Sequence, residues 1–358
     1  MRYFLRGIAL VIVLLAVYLL LWPVEISPVA WQAPALRLDD PRFKTNNDLR
    51  RIEYLDISPY RQPRRLTIGP DGFLYAATAQ AIIQIQLNTH SPTPEQLRNP
   101  VIRPIVQTEG AATALWFDQQ GLFYTDTEGL KQDDELLIST GQTGLIQQFV
   151  MDDQSIYFIT QHPTQNLSLW LDLMEHGGHG RLWQFDRSSK QLTMLLTGLQ
   201  RPVGLNLDPG SKDLLLAEAG TYQLTRFNLQ TQTLNPVLAN LPDYPAGLSF
   251  SGRYHWLALN GPRHAAIDEY STQPWLRKLL LRILPAPEPT LQSMVVAVQG
   301  ERIMRQLNDQ EQRLPGITQV LETDDYFFFG HQQPLAVIGY FLKPDADLQF
   351  YDQPVQKR

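Results

Sequence analysis

Short apolar runs broken by polar turns recur along most of the chain. Leu66-Thr67-Ile68 is followed by Gly69-Pro70-Asp71-Gly72 and then Phe73-Leu74-Tyr75, and Leu115-Trp116-Phe117 leads through Asp118 to Gly121 into Leu122-Phe123-Tyr124. The same order returns at residues 148–158, 203–216, 247–257 and 317–328. Runs of β-formers around a Gly/Asp/Asn-type turn read as hairpins. Several units continue into further strands, at residues 81–87, 180–186 and 225–229. Four strands per unit and six units predict an all-β fold, a six-bladed β-propeller with an axial tunnel.

A different pattern opens the chain. From Gly7 to Trp22 there is no charge and the run is rich in Leu, Val and Ile, with Arg2 and Arg6 before it and Glu25, Asp39 and Asp40 after it. A helix of roughly 20 apolar residues crosses a bilayer core, and basic residues stay on the cytoplasmic side. The expectation is an uncleaved signal anchor, with Tyr18 and Trp22 as interfacial aromatics, the N-terminus cytoplasmic and the propeller periplasmic or extracellular. The competing reading is a cleaved signal peptide, whose A-x-A-like site would be Ala33-Pro34-Ala35. The expected division is a cytoplasmic tip and anchor over residues 1–23, a linker over 24–48, the propeller over 49–345 and a tail over 346–358.

The fifth period is longer than the others, the excess lying in residues 262–289. There the run from Trp275 to Leu284 predicts a short helical insertion in the fifth blade, stopped by Pro285, Pro287 and Pro289. Its apolar side and its three cations, Arg277, Lys278 and Arg282, suit either a helix that touches the membrane or tunnel rim with snorkelling basic side chains, or a cap on the blades.

Composition narrows the chemistry. The chain has 358 residues, no Cys and a formal net charge of −6. Disulfides, Cys-ligated zinc and thiol catalysis are therefore excluded, and no basic block suggests nucleic acid. No G-x-S-x-G elbow supports a Ser hydrolase.

Several segments resemble the strictosidine synthase-like six-bladed propellers, related to SMP-30/gluconolactonase and paraoxonase, in a bacterial-type member. They are Met174-Glu175 with Gly180-Arg181-Leu182, Leu216-Ala217-Glu218 with Arg226, the stretch from Asn240 to Pro245, the stretch from Trp256 to Arg263, and Leu276 to Leu279. The resemblance covers about residues 45–345 and implies an axial-tunnel site that hydrolyses small esters or lactones. In metal-dependent relatives a Ca²⁺-type cation is held by a Glu, an Asn and an Asp or Asn from different blades. Here those places fall on Arg64, Val203 and Ala246, so no resident cofactor is expected, with a Ca²⁺-type cation left open. The catalytic Glu of the plant synthase aligns with Thr318, which cannot deprotonate an ammonium.

Asp126, His162, Asn260 and His331 each follow a strand of a different blade and could converge at one tunnel end, where Glu175, Glu218, Arg263 and Thr318 complete the candidate lining. The plainer role for each is that of a turn or hydrogen-bonding residue. Glu218 and Arg226 suit a structural ion pair, and Glu175-His176-Gly177-Gly178-His179 has metal-like spacing but reads first as a flexible turn. Trp116, Trp183 and Trp256 read as core. Two functions stay open: an exported hydrolase with a remodelled tunnel, or a non-catalytic propeller binding a small molecule, lipid or protein at the membrane surface.

Overall fold

The recurring aspartates build the hairpins. In this computed structural model Asp71, Asp118, Asp152 and Asp208 each accept a backbone N–H from just beyond the turn, donated by Phe73, Gln120, Gln154 and Gly210. An Asp side chain that replaces a backbone turn bond sets the reversal locally, before any tertiary contact forms. The structure describes residues 1–21, 24–37, 39–44, 46–90, 92–162, 168–283 and 290–343, and the side chains of residues 19–21 lie outside the description. Trp22, Leu284, the three prolines after it and the 346–358 tail fall outside the described residues.

The hairpins assemble into six four-stranded antiparallel sheets. Their first strands are Arg65–Ile68, Ala114–Asp118, Ile146–Met151, Pro202–Leu207, Asp243–Phe250 and Ile317–Glu322. Each touches the first strand of the next blade and the sixth touches the first, so these strands form the inner wall of a closed six-bladed β-propeller. Blades are numbered in this order. The ring is closed by Glu53–Asp56, which pairs with Val337–Leu342 as the outermost strand of blade 6, Leu55 opposite Ile338. Sequence periodicity missed that strand, because Glu53-Tyr54-Leu55-Asp56 has a single buried apolar side chain. Joining the two ends of the chain in one sheet removes the need for an exposed ring edge.

The core lies between neighbouring blades. Trp256 meets Phe327 edge-to-face at 5.4 Å between blades 5 and 6, in a cluster with Val295, Phe329 and Phe341. Trp183 belongs to the layer shared by blades 2 and 3. Trp116 does not fit the core expectation, since it remains 41% exposed on the inner strand of blade 2 while its neighbour Leu115 packs inward. Strand alternation puts the two side chains on opposite faces. Inner strands approach so closely that a Cβ on Gly247 would stand 2.1 Å from the Thr318 carbonyl oxygen, and only glycine fits.

Two compact units make up the chain. The propeller comprises residues 36–166, 178–262 and 290–358. The other unit joins residues 1–35, 167–177 and 263–289, and contains the helices Arg2–Leu21, Leu169–Glu175, Ala265–Glu269 and Pro274–Ile283. The last two are inserted between the second and third strands of blade 5, as the long fifth period suggested. Among the described residues no helix is long and apolar enough to cross a membrane. The Arg2–Leu21 helix exposes Phe4, Leu10, Val11, Leu14, Leu15 and Tyr18.

Arg277 overturns the snorkelling expectation. Its side chain is fully buried and donates to the carbonyl oxygens of Met174 (2.7 Å), Ser271 (3.2 Å) and Val29. Met174 lies in the last turn of the helix Leu169–Glu175 and Ser271 follows the helix Ala265–Glu269, so the guanidinium satisfies carbonyls that their helices leave open. Trp275 and Ile283 are the exposed apolar residues of the Pro274–Ile283 helix.

Candidate functional site

Strand register places the starts of all inner strands and the ends of all second strands at one end of the propeller. Thus Arg65 pairs with Ala77, Ala114 with Thr125, Ile146 with Thr160, Pro202 with Glu218, Asp243 with Pro262 and Ile317 with His331. Asp126, His162, Glu218, Asn260 and His331 therefore do share that end.

A β-bulge marks the first residues of four inner strands. The register slips at Gln147, Val203, Ala246 and Thr318, each standing extra against its partner strand. Bulges re-aim side chains, and these four stand at one end of the innermost strands, around the axis. Arg64 holds the equivalent position in blade 1, where its N–H bonds Ala77 just before the Arg65 pair, and Thr113 holds it in blade 2. The axial ring is thus Arg64, Thr113, Gln147, Val203, Ala246 and Thr318. The family resemblance locates Arg64, Val203, Ala246 and Thr318. It misses Gln147, whose only mark is a bulge, and Thr113, whose only mark is its bond to Thr125 O just before the Ala114 pair; neither has a composition signal.

The layer beneath comprises Arg65, Ala114, Gln148, Gly204, Gly247 and Gln319, one residue further along each strand. Two glycines and an alanine leave space that Arg65 and Gln148 fill. Arg65 donates to Gln148 Oε1 at 2.6 Å and to the Leu248 and Thr318 carbonyls at 3.4 Å. Gln148 in turn donates to Leu205 O (2.7 Å) and Leu248 O (2.8 Å) and accepts from Leu205 N (3.2 Å). This network ties five blades together and closes the tunnel below the ring. Burial alone pushes the Arg65 guanidinium down to about 10, so it stays charged at neutral pH.

Most candidate residues are occupied structurally. The Asp126 carboxylate accepts the N–H groups of Glu109, Glu128 and Gly129 and pairs with Lys131 at 2.9 Å. His331 is enclosed, with Nε2 2.8 Å from Val337 O and Nδ1 3.2 Å from Gln333 N; burial lowers its pKa. Glu218 accepts Gln200 N–H at 2.7 Å and Gln223 Nε2 at 3.4 Å, with its pKa raised by burial. It does not pair with Arg226, which binds Asp208 at 2.8 Å. Glu218 lies opposite Gln223 and Arg226 opposite Leu215, so the hairpin separates the two along its length. Thr318 Oγ1 donates to Arg64 O at 2.9 Å. The His162 and His179 rings meet edge-to-face at 4.4 Å.

In the helical unit, Glu175 accepts Ser27 N–H at 2.9 Å, and Arg263 pairs with Asp268 at 2.7 Å while also donating to Pro34 O. His176 stacks on Trp31 at 3.9 Å, and burial beside Arg277 lowers it to about 4.

Two groups at the axial end differ. Neither polar atom of the buried Asn260 amide finds a hydrogen-bond partner among the described residues. Asp243 begins the inner strand of blade 5, and burial pushes its carboxyl up to about 6. Its folded pKa exceeds its unfolded one, so its contribution favours folding at low pH and is lost as pH rises through about 6. Asp243→Asn should therefore stabilise the protein by about 1–2 kcal/mol at about pH 8, by about half as much at about pH 5, and hardly at all below about pH 4, read as melting temperature against pH. An equal gain at all three values would show that Asp243 does not titrate there.

The ring is a poor seat for a divalent cation. Hard cations need six to eight oxygens, commonly with carboxylates. The ring supplies one amide and two hydroxyls beside a guanidinium. At the opposite end, a cavity of about 500 Å³ between blades 2 and 3 is lined by Gln120, Phe123, Asp153, Arg187 and Lys190. Its Arg187 is already engaged by Asp118 at 2.6 Å and Gln120 at 2.7 Å.

The strictosidine synthase family model matches residues 149–251, and the model for the N-terminal part of strictosidine synthase-like proteins matches residues 41–80. Adipocyte plasma membrane-associated protein of Danio rerio is 25% identical over 215 residues, 54% of this chain and 48% of that protein. Strictosidine synthase-like 10 of Arabidopsis thaliana is 28% identical over 166 residues, 42% of this chain and 44% of that one. The chain spans about half the length of these curated relatives or less. Among solved structures, a luciferin-regenerating enzyme aligns with a TM-score of 0.55 at 10% identity, over 82% of this chain and 96% of its own. A putative gluconolactonase aligns at 0.51 and 9% identity, over 81% and 92%. At such identities the likeness is one of fold.

Proposed function

Because this chain belongs to the strictosidine synthase-like family of six-bladed propellers, we propose that it is a membrane-anchored propeller that binds a small molecule at its axial end. Binding, rather than metal-assisted hydrolysis of an ester or lactone, is its role. The observation that carries this is the axial ring itself. Arg64, Val203 and Ala246 fall where the sequence resemblance puts the metal ligands of metal-dependent relatives, and the ring offers no carboxylate to hold a cation or activate water. Thr318, at the place of the synthase Glu, spends its hydroxyl on Arg64 O.

The anchor reading rests on the uncharged sequence run from Gly7 to Trp22, which begins in the Arg2–Leu21 helix and extends beyond the described residues. The helix's apolar side chains are exposed, an arrangement costly in water and favourable in lipid, and its cations stand at the N-terminal end. The N-terminus is then cytoplasmic and the propeller periplasmic or extracellular.

Full-length protein in detergent micelles tests the binding reading. Aryl esters and lactones should turn over no faster than in buffer, with Ca²⁺ or with a chelator. A chelator-sensitive turnover, or a stoichiometric metal in purified protein, would overturn it. For topology, a C-terminal alkaline phosphatase fusion should be active and a C-terminal green fluorescent protein fusion dark; the reverse pattern sinks the anchor.

A further inference from the structure

Arg64 and Arg65 put two guanidinium groups at the axial end, and neither pairs with a carboxylate among the described residues. Every acceptor of Arg65 is neutral: one amide oxygen and two backbone carbonyls. Arg64 donates from Nη2 to the amide of Gln62 at 3.3 Å, while its Nε is enclosed without a partner. The acids at this end do not compensate them. Asp126 pairs with Lys131, Glu218 is taken up by Gln200 and Gln223, and Asp243, whose pKa burial raises, has no salt bridge to Arg64 or Arg65 among the described residues. Asn260 adds an unsatisfied amide to the same end.

Buried cations are normally paired, because removing a guanidinium from water without a counter-charge is costly. When the chain supplies no counter-charge, a ligand can. The planar fork of Arg matches a carboxylate in two parallel bonds, and Val203 and Ala246 give the ring an apolar side. We propose that the axial ring is an anion site, the reverse in sign of a metal seat, and that it takes a small carboxylic acid, its carboxylate on Arg64 and its carbon body against Val203 and Ala246. This deepens the reading of the axial end as a ligand site and rests on it.

The probes are hexanoate and benzoate, their neutral amides, and inorganic phosphate, applied to full-length protein in detergent at constant ionic strength. The readouts are melting temperature and titration calorimetry. The carboxylates should raise the melting temperature with dose, as any ligand of the folded state does. The amides should bind at least about tenfold more weakly, the loss of one charge-assisted pair. Arg64→Gln should remove the response to carboxylates. Ala246→Glu places a carboxylate on the ring, so it should raise the melting temperature of the free protein and also abolish the response; it keeps the proposal testable if Arg64→Gln folds poorly.

If amides act as well as acids and Val203→Trp blocks both, the anion assignment falls while the ligand site stands. If phosphate matches hexanoate, the carboxylic-acid class falls. Binding unchanged by both Arg64→Gln and Val203→Trp removes the axial end as the ligand site. No response to any carboxylate overturns the proposal.

Discussion

Gln148→Leu should cost the propeller about 3–5 kcal/mol, read as a lower denaturation midpoint at unchanged slope. Gln148 accepts from Arg65 and from Leu205 N–H, and donates to the carbonyls of Leu205 and Leu248. Leucine has nearly the same volume, so the loss is one of hydrogen bonds and not of packing. Among the described residues it leaves Arg65 with two long carbonyl contacts at 3.4 Å as the partners of a buried charge. Stranding one partner is the expensive change, whereas replacing both is often neutral. The double variant Arg65→Met, Gln148→Leu should recover the part of the loss that comes from stranding Arg65, and not the part from the Leu205 N–H and the Leu205 and Leu248 carbonyls, which stay uncovered. A cost below about 1 kcal/mol for the single variant, or simple additivity in the double, would show that the network does not hold the inner strands together.

The second large effect is expected at Arg277. Arg277→Ala should destabilise the helical unit by about 3–5 kcal/mol, since it uncovers the carbonyls of Met174, Ser271 and Val29 in an enclosed setting. Hydrogen exchange should accelerate over residues 168–177 and 263–283, and limited proteolysis should cut there first. Arg277→Lys should recover little, because a point donor cannot reach three carbonyls from separate segments. Lys278→Ala, on the same helix and partly exposed, should stay within about 0.5 kcal/mol. Equal effects at the two positions would contradict a capping role for Arg277.

These two residues show where reading the chain succeeds and where it stops. Hairpin positions, blade number and blade order were legible because their causes are local. Alternating β-formers, and an Asp that bonds its own turn, act within about ten residues. Asp71, Asp118, Asp152 and Asp208 are spaced by that logic, and the structure reproduces it. The long fifth period announced the inserted helix Pro274–Ile283 for the same reason, while the shorter helix Ala265–Glu269 before it was not read.

The rest was decided by tertiary structure. The bulges at Gln147 and Thr318 depend on pairing with a second strand, and leave no mark in composition. Arg65 and Gln148 lie 83 residues apart and meet only because six inner strands converge. Arg277 looked like a surface cation on an amphipathic helix until three distant carbonyls enclosed it. Glu218 and Arg226 looked like a pair until register set them at different ends of their hairpin. Closure by Glu53–Asp56 depends on a partner strand near the other end of the chain. Periodicity reports which face of an element is apolar; which polar groups share an enclosed space, and whether their charges are balanced there, depends on distances that only the closed ring defines.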